Sequence, residues 1–419
     1  MIVVLESRFP TKRLRFLLKR TPTEEQLRKL SLASQVNFVP MEAIGEKGEI
    51  DLSIIKDQDE VQTGYTMFFD GDVVVAKITP CFENGKGAYV DNLLNGIGYG
   101  TTELHVLSPG SDLVGRFLYY ITASESFRKL GSSVMTGAAG QKRVPEDFIR
   151  DYPVAVIPRS KQQLIVDYLD QEMSKFDKML AAKEQLLFLL AEKRRALITR
   201  AVTRGLGPNV QMKYSGVEWL GEFPVTWTTK RVKYLFSLVT EPAPPDNDFE
   251  LLSLYTEVGV LPRKDIEARG NKATTTDNYW LVKPGDLVVN KLLAWMGAFG
   301  VSDYEGVTSP AYDILRPLDG VNPLYYHHLF RCGICFPEFR RRSTGIMDMR
   351  LRLYFDEFGD MRVPLPPLEE QQAIIEHIKR ETAKLDSLRI AAERTIGLLK
   401  ERRAALISAA VTGKIEAIA

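Results

Sequence analysis

Few residues of this chain stand at spacings that could do chemistry. Cys332 and Cys335 form a C-x-x-C, but no second ligand pair follows at zinc-finger spacing and no redox-type setting surrounds them, so they read as two small residues in a helix or turn. With Cys81 they make three cysteines, too few for a disulfide framework and in keeping with a reducing compartment. The histidines His105, His327, His328 and His377 fall in no H-E-x-x-H or other ligand spacing, which leaves no metal site to expect. Gly85-Lys86 is followed by Gly87 rather than Ser or Thr, so no phosphate loop is present, and Gly96-Ile97-Gly98-Tyr99-Gly100 lacks the G-x-G-x-x-G spacing and reads as a turn. Neither Asn-Pro-Pro-Tyr nor Asp-Pro-Pro-Tyr occurs, the box with which amino-methylating enzymes grip an extruded base. No catalytic residue is expected.

The basic residues are more informative. Arg340-Arg341-Arg342, then Arg350 and Arg352, read as a loop-rich stretch in which Asp348 is the one acid. Lys142 and Arg143 hold the corresponding place in the first half, after the small-residue run Thr136-Gly137-Ala138-Ala139-Gly140-Gln141. Arginine can contact phosphates or grip guanine with two hydrogen bonds, and glutamine can pair with adenine; for any one of them the alternative is a solvated surface. Lys77 and Lys291 follow equivalent strands that open with Gly-Asp, with Asn84 and Lys86 in the loop after the first. Equal placement suits a shared phosphate-positioning role, or a shared packing role for the two lysine stems. The candidate DNA contacts are thus Lys77, Asn84, Lys86, Gln141, Lys142, Arg143, Lys291, Arg340, Arg341, Arg342, Arg350 and Arg352.

The elements that must position these residues come in two copies. Residues 157–206 align without a gap on 366–415, and Gln162-Gln163 falls on Gln371-Gln372, an offset of 209 (371 − 162). The same offset carries Asp177 onto Asp386, Glu192 onto Glu401 and Ala201-Val202-Thr203 onto Ala410-Val411-Thr412. Each copy reads as one long helix with a heptad seam. In the first the seam visits Leu169, Met173, Phe176, Leu180, Lys183, Leu187, Leu190, Arg194, Leu197 and Ala201. In the second it visits Ile378, Thr382, Leu385, Arg389, Ala392, Ile396, Leu399, Arg403, Leu406 and Ala410, a thinner stripe that needs a partner. Ser160 with Gln163 suggests a capping box; Gly205, Gly207 and Pro208 stop the first helix, and Gly413 lies near the end of the second. Upstream the likeness survives in islands: Thr11–Leu17 answers Thr229–Leu235, Gly71–Lys77 answers Gly285–Lys291, and Leu118-Tyr119-Tyr120 answers Leu324-Tyr325-Tyr326. The helices are copies and the lobes are variants.

The division expected is a first lobe over 1–156, a helix over 157–206, a linker over 207–228 with Trp219 and Trp227 as packing anchors, a second lobe over 229–365 and a second helix over 366–419. The lobes carry short β-branched and aromatic runs such as VVVAKI and DLVVNKLL, broken by Gly, Pro and Asn, and read as mixed strand and helix. At 45% hydrophobic and 10% aromatic, the composition supports full cores. A net charge of +1 carries no global signature for nucleic acid, so any DNA binding has to be local. No apolar run approaches the length of a membrane span, and the cytoplasm is the expected location.

With these features in place, the chain resembles the specificity subunit of type I restriction-modification systems. The likeness rests on IPRSKQQ and VPLPPLEEQQ, each followed by a long helix ending EKRRALITRAVTRG or ERRAALISAAVTGK, on the linker GVEWLGEFPVTW, and on GDVVVAKITPCFENGKG. Two departures stand out: the first half has no copy of W-L-G-x-x-P-x-x-W, and IPRSKQQ is a degraded PPLEEQQ.

The resemblance implies an α+β chain with a pseudo-two-fold internal repeat. Two α/β target-recognition domains would be separated by two long helices, conserved in that family, which form an antiparallel coiled coil. Each domain would read one half of a split, asymmetric site in double-stranded DNA. The coiled coil would set the spacing and recruit two methyltransferase subunits, with restriction subunits joining the full complex. The helix contacts would come from Leu169, Met173, Phe176, Leu180, Leu187, Leu190, Leu197, Ile378, Leu385, Ile396, Leu399 and Leu406. No cofactor would bind this chain; S-adenosylmethionine, ATP and Mg2+ would sit on the partner subunits. A helix of about 40 residues is about 60 Å long, and a second helix pairs with the first only by running back, which would place the lobes at opposite ends and inverted. Half-sites about 34–36 Å apart, or somewhat more, are then within reach. Two rivals stand beside this reading: a fused methyltransferase or nuclease, and a coiled-coil scaffold that binds proteins and no DNA.

Overall fold

A computed structural model describes residues 7–19, 21–138, 140–256, 258–263, 276–346 and 351–415. Two helices dominate it, Arg159–Arg204 and Leu368–Val411. Both are rich in Ala, Leu, Lys, Glu and Arg and free of internal proline, so little opposes a continuous helix about 66–69 Å long. Each stops at a glycine in the left-handed region, Gly205 at φ 72° and Gly413 at φ 70°, where a side chain would be strained. The expected capping box is absent. The first helix begins at Arg159, before Ser160, and the Gln163 amide bonds Asp167 one turn on instead of reaching back.

The chain divides into two compact units, 1–184 with 393–419, and 185–392. Each unit therefore holds one lobe and about half of each long helix, rather than one lobe and one helix. In the first unit Ile165, Val166, Leu169, Met173 and Phe176 share a core with Ile407, Ala410 and Val411. In the second, Ala201 and Val202 share a core with Ile374 and Ile378. In each unit late positions of one helix pack on early positions of the other, so the pairing is antiparallel. Every apolar seam residue named above is buried or half-buried.

The lobes are built on one frame. In the first, Val73–Ala76 lies between Gly87–Tyr89 and Leu104–Leu107 in an antiparallel sheet. In the second, Leu287–Asn290 lies between Phe299–Val301 and Tyr312–Pro317, and Phe236–Val239 adds a fourth strand. The central strand is almost wholly buried in both, as a run of valines under two layers should be. It begins at the same turn, with Gly71 at φ 91° and Gly285 at φ 92°. The following aspartate is buried and closes that turn: Asp72 accepts from the Phe69 N–H at 2.8 Å and Asp286 from the Lys283 N–H at 2.9 Å. First and last strands close each lobe, Thr11–Arg13 on Pro153–Ala155 and Thr228–Arg231 on Arg362–Leu365.

The first lobe adds a second sheet in which Gln35–Val39 and Ile97–Gly100 run parallel. Here the glycine-rich segment is a buried strand and not a turn, because the Phe68 ring lies where a side chain at Gly98 would stand. In the linker, Met212–Tyr214 pairs with Glu222–Pro224, and Trp227, fully buried, stacks near Phe223 and meets Tyr325 edge-on. Trp219 is partly buried against the same core, so both tryptophans are packing anchors.

Candidate nucleic-acid interface

The segment after the central strand is held alike in the two lobes. Val144 donates its N–H to the Lys77 carbonyl at 2.8 Å, and Leu353 donates to that of Lys291 at 3.0 Å. Next to each, a Thr–Arg pair exchanges two backbone hydrogen bonds, Thr136 with Arg143 and Thr344 with Arg352. The segments between the bridged residues, 137–142 and 345–351, differ in sequence (GAAGQK and GIMDMRL); residues 139 and 347–350 lie outside the described residues. Arg143 and Arg352 thus close equivalent bridges in the two lobes.

The side chains behave differently. Gln141 and Lys142 are exposed in the first segment. Arg143 forks onto Glu103 at 2.7 and 2.9 Å, and this pairing holds the Glu103 carboxyl below its usual range. Lys77 lines a cleft of about 750 Å³ with Arg15, Lys19, His105, Glu146 and Arg150. His105 bonds the Val144 carbonyl, and burial lowers its pKa. Asn84 is exposed, whereas Lys86 turns inward to the Met41 carbonyl at 3.0 Å. Arg128, buried, clamps that loop through the Phe82 and Gly85 carbonyls at 3.0 Å each, a role its place in the sequence did not advertise.

In the second lobe Lys291 is half-buried and pairs with Asp313 at 3.2 Å. Arg340–Arg342 end a helix, Phe336–Arg342, instead of lying in a loop, because Pro337 sits in its first turn, where proline favours helix. Glu338 from that first turn holds Arg341 and Arg342 at 2.7–2.9 Å, so the run has an acid that the reading centred on Asp348 passed over. Arg340 lies over the Trp295 ring at 5.7 Å, and Arg352 is exposed. Arg350 falls outside the described residues.

Other groups are inert. Burial raises the Cys332 thiol to about 11 and holds that of Cys335 well above its usual value, and both sulfurs donate to backbone carbonyls, so neither is a ready thiolate. Among the described residues no group of His, Cys, Asp and Glu could hold a metal ion, and no helix is long and apolar enough to cross a membrane.

The helix pair carries a second repeated feature. Arg194 reaches Asp386 at 2.8 Å in one unit, and Arg403 approaches Asp177 at 3.7 Å in the other. The offset of 209 (386 − 177) also carries Arg194 onto Arg403, so one Asp–Arg partnership is made twice with the donors exchanged.

Known structures share this architecture. A chain from a structure of the type I R-M system superimposes with a TM-score of 0.75 at 18% identity, covering 99% of this chain and 100% of that one. The crystal structure of the HsdS subunit from Thermoanaerobacter tengcongensis gives 0.61 at 16% identity, covering 97% of each. The chain has the fold of a type I specificity subunit. Sequence agrees over a shorter stretch. The EcoAI and EcoEI type I restriction enzyme specificity subunits of Escherichia coli are 46% and 43% identical over 148 residues. Those residues are 35% of this chain and 25% of each relative, so the match spans only a quarter of the curated relatives' length. No family model matches the chain.

Proposed function

We propose that the chain is the non-catalytic DNA-specificity subunit of a type I restriction-modification complex. Each lobe reads one half of a bipartite, asymmetric site in double-stranded DNA. The observation that carries this reading is the repeated frame with unlike sequences between its bridges: equal anchors at Lys77 and Lys291 and equal bridges at Arg143 and Arg352 flank segments of different sequence. Equal anchoring places two readers in the same way, and different segments give them different sequences to read.

The helix pair spaces the lobes and recruits two methyltransferase subunits, with restriction subunits joining the full complex. Apolar residues left in water at repeat-equivalent positions support two like docking surfaces. Met179 matches Leu388, and Leu189 matches Leu398, all 44–55% exposed. Each unit presents one residue of each pair, Met179 with Leu398 and Leu189 with Leu388. S-adenosylmethionine, ATP and Mg2+ belong to the partner subunits in this proposal, and this chain contributes placement alone.

The test is binding and methylation by the chain with its cognate methyltransferase. Binding should weaken as salt rises, and sequencing of methylated adenines should return one two-part motif with unlike halves. A palindromic motif, or methyl transfer by this chain alone, would contradict the proposal.

A further inference from the structure

Two buried glutamines repeat one hydrogen-bond pattern at the joints between lobes and helices. Gln162 is 3% exposed and Gln371 fully buried. The Gln162 amide donates to the Asp112 and Ile157 carbonyls at 2.8 Å each and accepts from the Val114 N–H at 2.8 Å. The Gln371 amide donates to the Gly320 and Pro366 carbonyls at 3.3 and 2.9 Å and accepts from the Asn322 N–H at 2.9 Å. Ile157 and Pro366 are the same repeat position, just before the long helix. Val114 and Asn322 are each the residue that opens the lobe helix bearing the Leu-Tyr-Tyr sequence.

We infer that Gln162 and Gln371 are positioning residues that fix the angle of each lobe on its long helix and thereby hold the site to a single spacer length. This rests on the two-half-site reading above. A primary amide is the side chain that can bond two carbonyls and one N–H at once: a carboxylate would face both carbonyls with charge, and an apolar side chain would leave three buried backbone groups unpaired. The second glutamine of each pair, Gln163 or Gln372, is exposed and takes no part in the joint. The outer face of each lobe sheet has a cluster that includes no long-helix residue, Val74 with Ala88 and Leu104 in the first lobe and Val288 with Leu254 and Ile314 in the second, so loosening the joint should tilt a lobe without changing what it reads.

Methylated adenines are mapped for the wild-type chain, Gln162→Leu, Gln371→Leu and the controls Gln163→Leu and Gln372→Leu, each with the cognate methyltransferase. Loss of the joint should raise methylation at sites one base pair longer or shorter than the parent spacer by about tenfold, with both half-site sequences retained and the controls unchanged. A general loss of stability would lower methylation at every site and leave the spacer distribution alone. Folded Leu variants that keep one spacer would overturn the inference. If they do not fold, Gln162→Glu and Gln371→Glu are scored in the same way; failure of these as well would make the amides a folding requirement and equally overturn it. A wild-type chain that returns no two-part motif would instead overturn the proposed function.

Discussion

Lys77 and Lys291 stand at the same place in the two lobes, yet one faces His105 and the other Asp313. Val75 pairs with His105 and Val289 with Asp313 in the same register, so these two residues are themselves equivalents. In the first lobe the lysine lines a basic cleft; in the second it is held by a half-buried carboxylate. Backbone contacts and buried turns keep the frame alike, and the chemistry on its face is free to change. Under the proposed function, that separation lets one architecture serve two different sequences.

The largest break in this comparison should come from the cores. Phe330 packs among Phe299, Phe339 and Phe358, and Phe330→Ala should cost about 3–5 kcal/mol. Hydrogen exchange should show Leu287–Asn290 losing protection while Val73–Ala76 keeps it; equal loss in both strands would mean that the lobes are one cooperative unit. Next come the two turn aspartates. Arg316 grips Asp286 through two bonds of 2.9 Å, so Asp286→Asn should destabilise by about 3 kcal/mol. Asp72 instead meets the Phe69 N–H and the Ser108 hydroxyl, and Asp72→Asn should cost about 1 kcal/mol in a urea titration.

Acid should separate the lobes by a smaller margin. Burial holds His327 well below the usual 6.5 and His328 down to about 4, so both stay neutral in the folded second lobe. Below 6.5 the unfolded chain takes up protons that the folded lobe refuses, so stability is present above that pH and lost as pH falls towards 4. The first lobe has His105 alone, also lowered, and should lose less. Tryptophan and amide-exchange melts at pH 7 and pH 5 measure the difference. The gentlest probe leaves the fold intact: Arg340→Ala with Arg341→Ala should weaken reading of one half-site by about 1–3 kcal/mol, whereas equal loss at both halves would point to general electrostatics.

Much of this frame could be read from the chain alone. The gap-free offset gave both helices and their glycine stops, and the islands at Gly71 and Gly285 marked the same turn twice. The joints could not be read in this way. Gln162 and Gln371 are visible as a repeated residue, but their partners are backbone groups, which leave no side-chain signature. The Arg194–Asp386 and Arg403–Asp177 pairs appear only once the antiparallel register is known, since each joins residues from different copies. The helix under Arg340–Arg342 was masked by its flanking glycines and cysteines, and a strand at Ile97–Gly100 was hidden by glycines that a neighbouring ring requires.

The central claim is that the helices space and the lobes read. It is tested most directly by inserting the same short helical segment after Leu187 and after Ile396, equivalent positions of the two long helices, and mapping methylated adenines with the cognate methyltransferase. A longer spacer between two unchanged half-sites is the expected result; an unchanged spacer, or an altered half-site, would contradict the account.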